Sequence, residues 1–246
     1  MLHYLFQHNL SENKHAETIR MKSIFCISIL CYLLVPSDLS GQELKARRIK
    51  RDGFKLEYSV LKSDKSIKHG SYRKYDATGG LLIDGQYEDD RKAGEWSYYY
   101  KGQVEQIYDF DTLKIVEMEH PSLDYEVLQG PEFKEMAIDR APTFIGGRAG
   151  LTEKLMELIT YPQEAIRLGI EGRMYVYVTI GDTDNLLDVS IAKGIDEFDN
   201  AVLSSLRQIQ DGWISGIQND RTVATRLIIP ILFRFQSDGN NTVTID

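Results

Sequence analysis

The stretch Tyr161–Ile180, YPQEAIRLGIEGRMYVYVTI, joins a short helix, a turn and a strand. Pro162 suits the first turn of a helix, and Gly169 supplies the left-handed residue that commonly ends one. From Met174 to Ile180 every second residue is apolar, which predicts a strand with one buried face. The stretch contains no pattern typical of catalysis, and it indicates a framework in which a helix meets a sheet.

The sequence around this junction predicts further helices and strands. RAGLTEKLMELI, residues 148–159, has apolar residues at helical spacing, and a polar turn at Gly181–Asn185 separates two strands. A later amphipathic helix carries its apolar residues at steps of three and four: Phe198, Val202, Leu206 and Ile209. Thr225–Phe235 reads as a final strand. The order predicts an α+β fold with a three-stranded antiparallel sheet packed on helices.

The N-terminal half contains an internal repeat rich in glycine and tyrosine. The first unit has the residues Gly70, Tyr72 and Tyr75. The next unit has Gly94, Trp96 and Tyr99 at the same spacing. Each unit predicts a β-hairpin around a glycine-containing turn. Over Phe54–Asp111 the pattern resembles MORN-like variant repeats, and we expect an all-β region. Its aromatic residues should mainly pack hairpin on hairpin, whereas an exposed tyrosine ladder would indicate a binding surface.

Residues 1–41 read as an upstream extension followed by a secretory signal. After Met21 a lysine precedes the apolar run Ile24–Val35, and Pro36 and small residues follow. The run is shorter than the roughly 20 residues that cross a bilayer. We therefore expect an exported, periplasmic or envelope-associated protein, cleaved near Gly41. An uncleaved or lipid-attached anchor at Cys26 or Cys31 is the alternative, although a lipoprotein cysteine normally follows the apolar run.

Composition limits the classes of function. The chain has 246 residues, of which 42% are hydrophobic, so it can bury a core. Its net charge of −8 argues against a general nucleic-acid binder. Cleavage near Gly41 would leave no cysteine, and therefore no disulfide.

Patterns typical of catalysis, metals or cofactors are absent from the sequence. The histidines beyond the signal, His69 and His120, lack metal-ligand spacing, and there is no phosphate-binding loop or nucleophile motif. Asp182 and Asp184 alternate as in a calcium loop, but Lys193 stands where that loop needs glutamate. We expect no enzyme, cofactor or metal site. The enzyme alternative would require a concave pocket whose titratable groups have shifted pKa values.

The C-terminal part resembles a known family at several points. They are P-x-F-x-G-G at 142–147, YP at 161–162, GIEG at 169–172, a helix ending near Trp213, and IPILFRF at 229–235. From about Ala141 to Phe235 the chain is similar to the C-terminal domain of TonB family proteins. The resemblance implies a periplasmic module that grips a peptide segment of outer-membrane transporters.

The chain is therefore predicted to comprise five parts. They are an extension and signal at 1–41, MORN-like hairpins at 42–111, a linker at 112–140, the TonB-like domain at 141–236, and a tail at 237–246.

Pro230 indicates where a partner would bind. Proline cannot donate to a β-ladder and normally lies on an edge strand or at a bulge. Thr225–Phe235 is therefore predicted to be the docking edge, to which an extended peptide adds by backbone hydrogen bonds. The core face of this strand is predicted to be buried. The predicted partner contacts are therefore four residues of the strand: Arg226, Ile228, Pro230 and Arg234.

The leading functional hypothesis is a protein-binding module of the envelope that acts in outer-membrane transport. Energy transducers of this family need a membrane helix and a long proline-rich spacer, whereas this chain has a short apolar run and six prolines. The alternative is therefore an envelope scaffold or adaptor without energy transduction. A homodimer is left open.

Overall fold

The structure is a computed structural model that describes residues 42–51, 53–118, 123–235 and 241–246. The predicted signal segment, its cleavage site and its cysteines lie outside the described residues. Residues Glu43–Asp246 form one compact unit, which contains two main sheets.

The first sheet is a seven-stranded antiparallel meander whose strands lie in chain order. Its strands are β1 (Leu44–Arg51), β2 (Phe54–Leu61), β3 (Lys68–Tyr75), β4 (Leu81–Glu88), β5 (Arg91–Tyr100), β6 (Gln103–Asp109) and β7 (Lys114–Met118). Asp89 and Asp90, between β4 and β5, have φ of 46° and 66°. Positive φ at both central residues is the geometry of a tight hairpin turn.

Aromatic residues of the repeat form the core of the first sheet. Its buried members come from β3, β4, β5 and β6: Tyr72, Ile83, Trp96, Tyr98 and Tyr108. The Trp96 ring lies 5.4 Å from that of Tyr72 and 5.1 Å from that of Tyr87. Its indole Nε1 donates to the carbonyl oxygen of Gln86 at 3.1 Å. These contacts join successive hairpins, which is the packing role predicted for the aromatics.

The remaining strands and the helices follow in chain order. The strands are β8 (Asp124–Gln129), β9 (Glu132–Lys134), β10 (Thr143–Phe144), β11 (Gly172–Ile180), β12 (Leu186–Lys193), β13 (Trp213–Ile214), β14 (Gly216–Gln218), β15 (Arg221–Val223), β16 (Thr225–Phe235) and β17 (Asn241–Ile245). The helices are α1 (Gly147–Leu158), α2 (Gln163–Leu168) and α3 (Asp196–Gln208).

The predicted α+β class is confirmed in its coarse form, but the second sheet is larger than predicted. The three predicted strands are β11, β12 and β16, and β11 pairs antiparallel with both others. Within the described residues β8, β9 and β17 enlarge the sheet to six strands, in the order β12-β11-β16-β8-β9 with β17 also on β16. Segments taken for a linker and a tail supply these three strands.

The core of this part lies between the second sheet and its helices. Alternate residues of β11, including Met174, Val176 and Val178, are buried against Phe198, Val202 and other residues of the helices. The α2 helix begins after Pro162 and ends at Gly169, which has φ of 66°. The junction Tyr161–Ile180 is therefore folded as predicted.

Gly85 tests the packing of the first sheet. A Cβ at this position would lie 2.3 Å from the Trp96 ring, so Gly85→Ala should lower the free energy of unfolding by about 1–3 kcal/mol. Urea denaturation measures the change. Because the clash is with the indole, the cost of Gly85→Ala should be smaller in a Trp96→Phe background. An equal cost in both backgrounds would contradict this packing.

Candidate functional site

The β16 strand carries all four residues predicted to bind a partner. It pairs with β11 from Thr225 opposite Ile180 to Phe233 opposite Gly172. Its core-facing residues are fully buried: Leu227, Ile229, Ile231 and Phe233. Since side chains alternate along a strand, the predicted contact residues share the opposite face: Arg226, Ile228, Pro230 and Arg234. Of these, Arg234 is exposed and the others are half-buried.

The prediction that β16 is an edge strand is wrong. Its second side pairs with β8 along Thr225–Ile228 and with β17 along Ile231–Phe235. This pairing could not be predicted from the sequence, because both covering strands lie in segments that lack a strong strand pattern. Two extended segments of the chain itself thus occupy the predicted docking edge.

Pro230 lies between these two covering strands. Its carbonyl oxygen accepts a hydrogen bond from the Asp246 backbone N–H at 3.1 Å, on the side where β17 pairs. The N and O of one strand residue point the same way, so the missing N–H of Pro230 also faces that side. The proline therefore removes no donor from the ladder with β11. Pro230 lies where the pairing of β16 with β8 ends and its pairing with β17 begins.

The Arg226 side chain contacts other residues of the same chain. Its guanidinium lies 4.2 Å from the centre of the Tyr177 ring and 4.3 Å from that of Phe133. Its Nε donates to Glu126 Oε2 at 2.7 Å, and Nη2 donates to the same oxygen. Because Glu126 is on β8 and Phe133 on β9, Arg226 holds this hairpin against β16.

The β17 strand lies against both β16 and helix α1. Val243 and Ile245 point into the core and are each 6% exposed. The Ile245 N–H donates to Thr152 Oγ1 at 3.0 Å. Arg148 Nε donates to the carbonyl oxygen of Asp246 at 3.2 Å. The segment is thus bound as an added strand, with apolar residues at alternate positions.

Gly146 and Gly147, at the start of α1, allow close contact with the first sheet. Gly146 and Gly147 have φ of 87° and 55°. A Cβ at Gly146 would lie 2.6 Å from the Tyr98 ring, and one at Gly147 would lie 2.6 Å from the Glu105 carboxylate. The positive φ of both residues, together with the clash at the Tyr98 ring, explains the glycine pair of the P-x-F-x-G-G motif.

Ion pairs join α1 to the first sheet. Arg148 Nη1 donates to Glu105 Oε1 at 2.7 Å. Burial raises the pKa of Glu105, and Arg148 only partly offsets this.

Glu153, also on α1, accepts hydrogen bonds from the Tyr72 hydroxyl at 3.0 Å and from Lys74 Nζ at 3.3 Å. Burial raises its pKa, but the charges of Lys74 and Lys92 and the hydrogen bonds outweigh burial, so the pKa lies below its usual value. Burial in turn lowers the pKa of Lys92.

A groove of about 860 Å³ opens beside these ion pairs, between the first sheet and α1. Its polar residues are chiefly lysines, tyrosines and acids, and none of the residues that line it is serine, threonine, cysteine or histidine. Tyr72, Lys74 and Lys92 all interact with Glu153. The shifted pKa values that an enzyme hypothesis requires thus arise here from contacts that attach a helix to a sheet.

Residues 42–51, 53–118, 123–235 and 241–246 hold no group of three or more His, Cys, Asp or Glu placed to bind a metal ion. None of their helices is long and apolar enough to cross a membrane.

Residues 157–235 match the family model described as Gram-negative bacterial TonB protein C-terminal. This match supports the resemblance drawn from the sequence and associates the segment with protein interaction in the envelope. No curated protein and no solved structure matches the chain. The match includes β11, β12, α3 and β16 and excludes β8, β9 and β17. The strands that cover β16 therefore lie outside the matched region.

Glu153→Gln should destabilise the contact between α1 and the first sheet. We expect a loss of about 2 kcal/mol at neutral pH, since Lys74 and Lys92 would lose their carboxylate. The pKa of Glu153 is lowered from 4.5 by folding, so its contribution is present above pH 4.5 and lost as the pH falls through the folded pKa.

Denaturation curves over a pH series check this expectation. The difference between the wild type and Glu153→Gln should shrink below pH 4.5, while Glu157→Gln, an exposed change on the same helix, should have little effect at any pH. A difference that stays constant into acid would contradict the ion-pair account.

Proposed function

We propose that the protein is an envelope protein-interaction module that binds an extended partner segment on β16 in place of β17. The observation that carries the proposal is the occupied edge itself. The β16 strand already binds β17 as an added strand, through backbone pairing and two apolar side chains. A partner segment needs only the same features, namely an extended backbone and apolar residues at alternate positions.

The extent of the family match supports an exchangeable strand. β16 lies within the matched residues 157–235, whereas β17 lies beyond them. The β17 strand is five residues long, and within the described residues its ladder partner is β16 alone. A short strand held by one ladder opens more readily than the central strands do.

The β8 strand is a poorer candidate for exchange. The stacked Arg226 side chain and its bonds to Glu126 fasten it to β16. In this proposal β8 stays, and the partner pairs along Ile231–Phe235. Arg234, which is exposed, and Pro230 then lie nearest to the partner, while Ile228 and Arg226 bound the site on the β8 side.

The partner that the family resemblance favours is a peptide segment of an outer-membrane transporter. In this proposal the protein acts in transport by pulling on that segment or by positioning it. The occupied edge also suits the alternative, an envelope scaffold in which β17 never leaves and binding occurs elsewhere. The two proposals differ in whether β17 must be released.

A disulfide that locks β17 onto β16 tests this requirement. Leu232 and Thr244 are opposite one another in the ladder, at a separation typical of disulfides, so Leu232→Cys with Thr244→Cys should form one in a chain whose Cys26 and Cys31 are replaced by serine. Fluorescence anisotropy with a panel of transporter N-terminal peptides would measure binding. We expect oxidation to weaken binding more than tenfold and reduction to restore it.

The matched control places cysteines at Thr179 and Asp188, an opposed pair between β11 and β12. This disulfide locks a ladder that need not open, so oxidation should leave binding unchanged. Equal binding by the oxidised and reduced β16–β17 variant would overturn strand exchange. No binding by any peptide in the reduced state would favour the scaffold.

A further inference from the structure

The outermost strand of the first sheet, β1, has a backbone edge available for pairing. Among the described strands it pairs only with β2, over all eight of its residues. The other side of its backbone therefore carries N–H and C=O groups that no described strand satisfies. Such an edge is a template for a further strand.

This edge is strongly basic, although the chain as a whole has a net charge of −8. The sequence of β1, LKARRIKR, holds five cationic residues and no acid. Of Lys45, Arg47, Arg48 and Lys50, only Arg48 has a described carboxylate within ion-pair distance, Glu57 at 3.2 Å. Glu57 is also shared with Lys55 at 2.9 Å. Lys45, Arg47 and Lys50 therefore have no carboxylate partner among the described residues.

The cations lie on both faces of the sheet. By strand alternation Lys45 and Arg47 share one face, and Arg48 and Lys50 share the other. All these side chains are exposed except Arg47, which is half-buried. Leu44 and Ile49, on opposite faces, are each 40% exposed and offer apolar contact. An added strand would therefore meet cations and an apolar residue on each side.

We propose that β1 binds an extended acidic segment of a partner protein as an eighth strand of this sheet. Backbone pairing accounts for the open edge, and charge complementarity selects glutamate and aspartate. An anionic membrane would satisfy the charge, but lipid head groups do not supply regularly spaced donors and acceptors along the edge. The surface is separate from β16 and does not depend on strand exchange there.

Synthetic peptides test the proposal on the full chain. The probe is a labelled Glu/Thr peptide of roughly ten residues with glutamates on both faces. The control is the same peptide with glutamine in place of glutamate. Fluorescence anisotropy should show binding by the Glu peptide that weakens as salt is added, and binding at least tenfold weaker by the Gln peptide.

Backbone pairing is tested by N-methylation of the Glu peptide. One version carries methyl groups on a single set of alternate residues, and the other carries them on every residue. Each edge of a strand is formed by the N–H groups of alternate residues, so the first version keeps one edge that can pair and should bind, whereas the second keeps none and should not.

Neutralising the edge gives a protein variant that should remain folded. Lys45→Gln with Lys50→Gln removes two exposed charges and should weaken binding about fivefold. Lys65→Gln with Lys193→Gln removes two exposed charges elsewhere and should leave binding unchanged.

Several results would overturn the proposal. They are no binding of the Glu peptide at low salt, equal binding of both N-methylated peptides, or no difference between the two lysine variants. Binding to vesicles of anionic phospholipid without binding to the peptide would assign β1 to a membrane surface. If none of these probes binds, the lysines and arginines of β1 serve instead to prevent its edge from pairing with other strands.

Discussion

Backbone pairing along both sides of β16 is the constraint on which the second sheet depends. One side is fixed by the long ladder with β11, which buries the core-facing residues of both strands. The other side must also find partners, because unpaired backbone groups near a core are costly. The chain meets this need with two short strands from distant parts of the sequence. The proposed function requires that β17 be released from β16 more readily than β8.

Helix α1 connects this strand pairing to the first sheet. Arg148 bonds to the backbone of Asp246, which follows β17, and also to Glu105 on β6. Its guanidinium lies 4.1 Å from the centre of the Tyr100 ring. Release of β17 would therefore remove one partner of a side chain that helps to hold the sheets together. Arg148 therefore contacts both the end of β17 and the first sheet.

Periodic patterns predicted the elements of the fold well. Alternation in β11 and β16, the helical spacing of Phe198 and its neighbours, and the Gly-aromatic repeat each reflect a buried face. Such a face constrains the sequence directly, so it can be recognised without a structure.

Pairing partners were harder to predict than elements. β8, β9 and β17 are short, and only part of their surface is buried, so their sequences carry little periodic signal. Pro230 predicted an open edge, but a proline cannot distinguish an open edge from a junction between two covering strands. The role of Arg226 was missed for the same reason, since Glu126 lies in the presumed linker.

Native-state hydrogen exchange tests the central claim most directly. If β17 is an exchangeable strand, amides in Asn241–Ile245 should exchange through local opening, with a free energy well below that of global unfolding. Amides in the ladder between β11 and β16 should exchange only near the global value. Equal protection of β17 and the β11–β16 ladder would show that β17 is a fixed part of the sheet and would contradict the account.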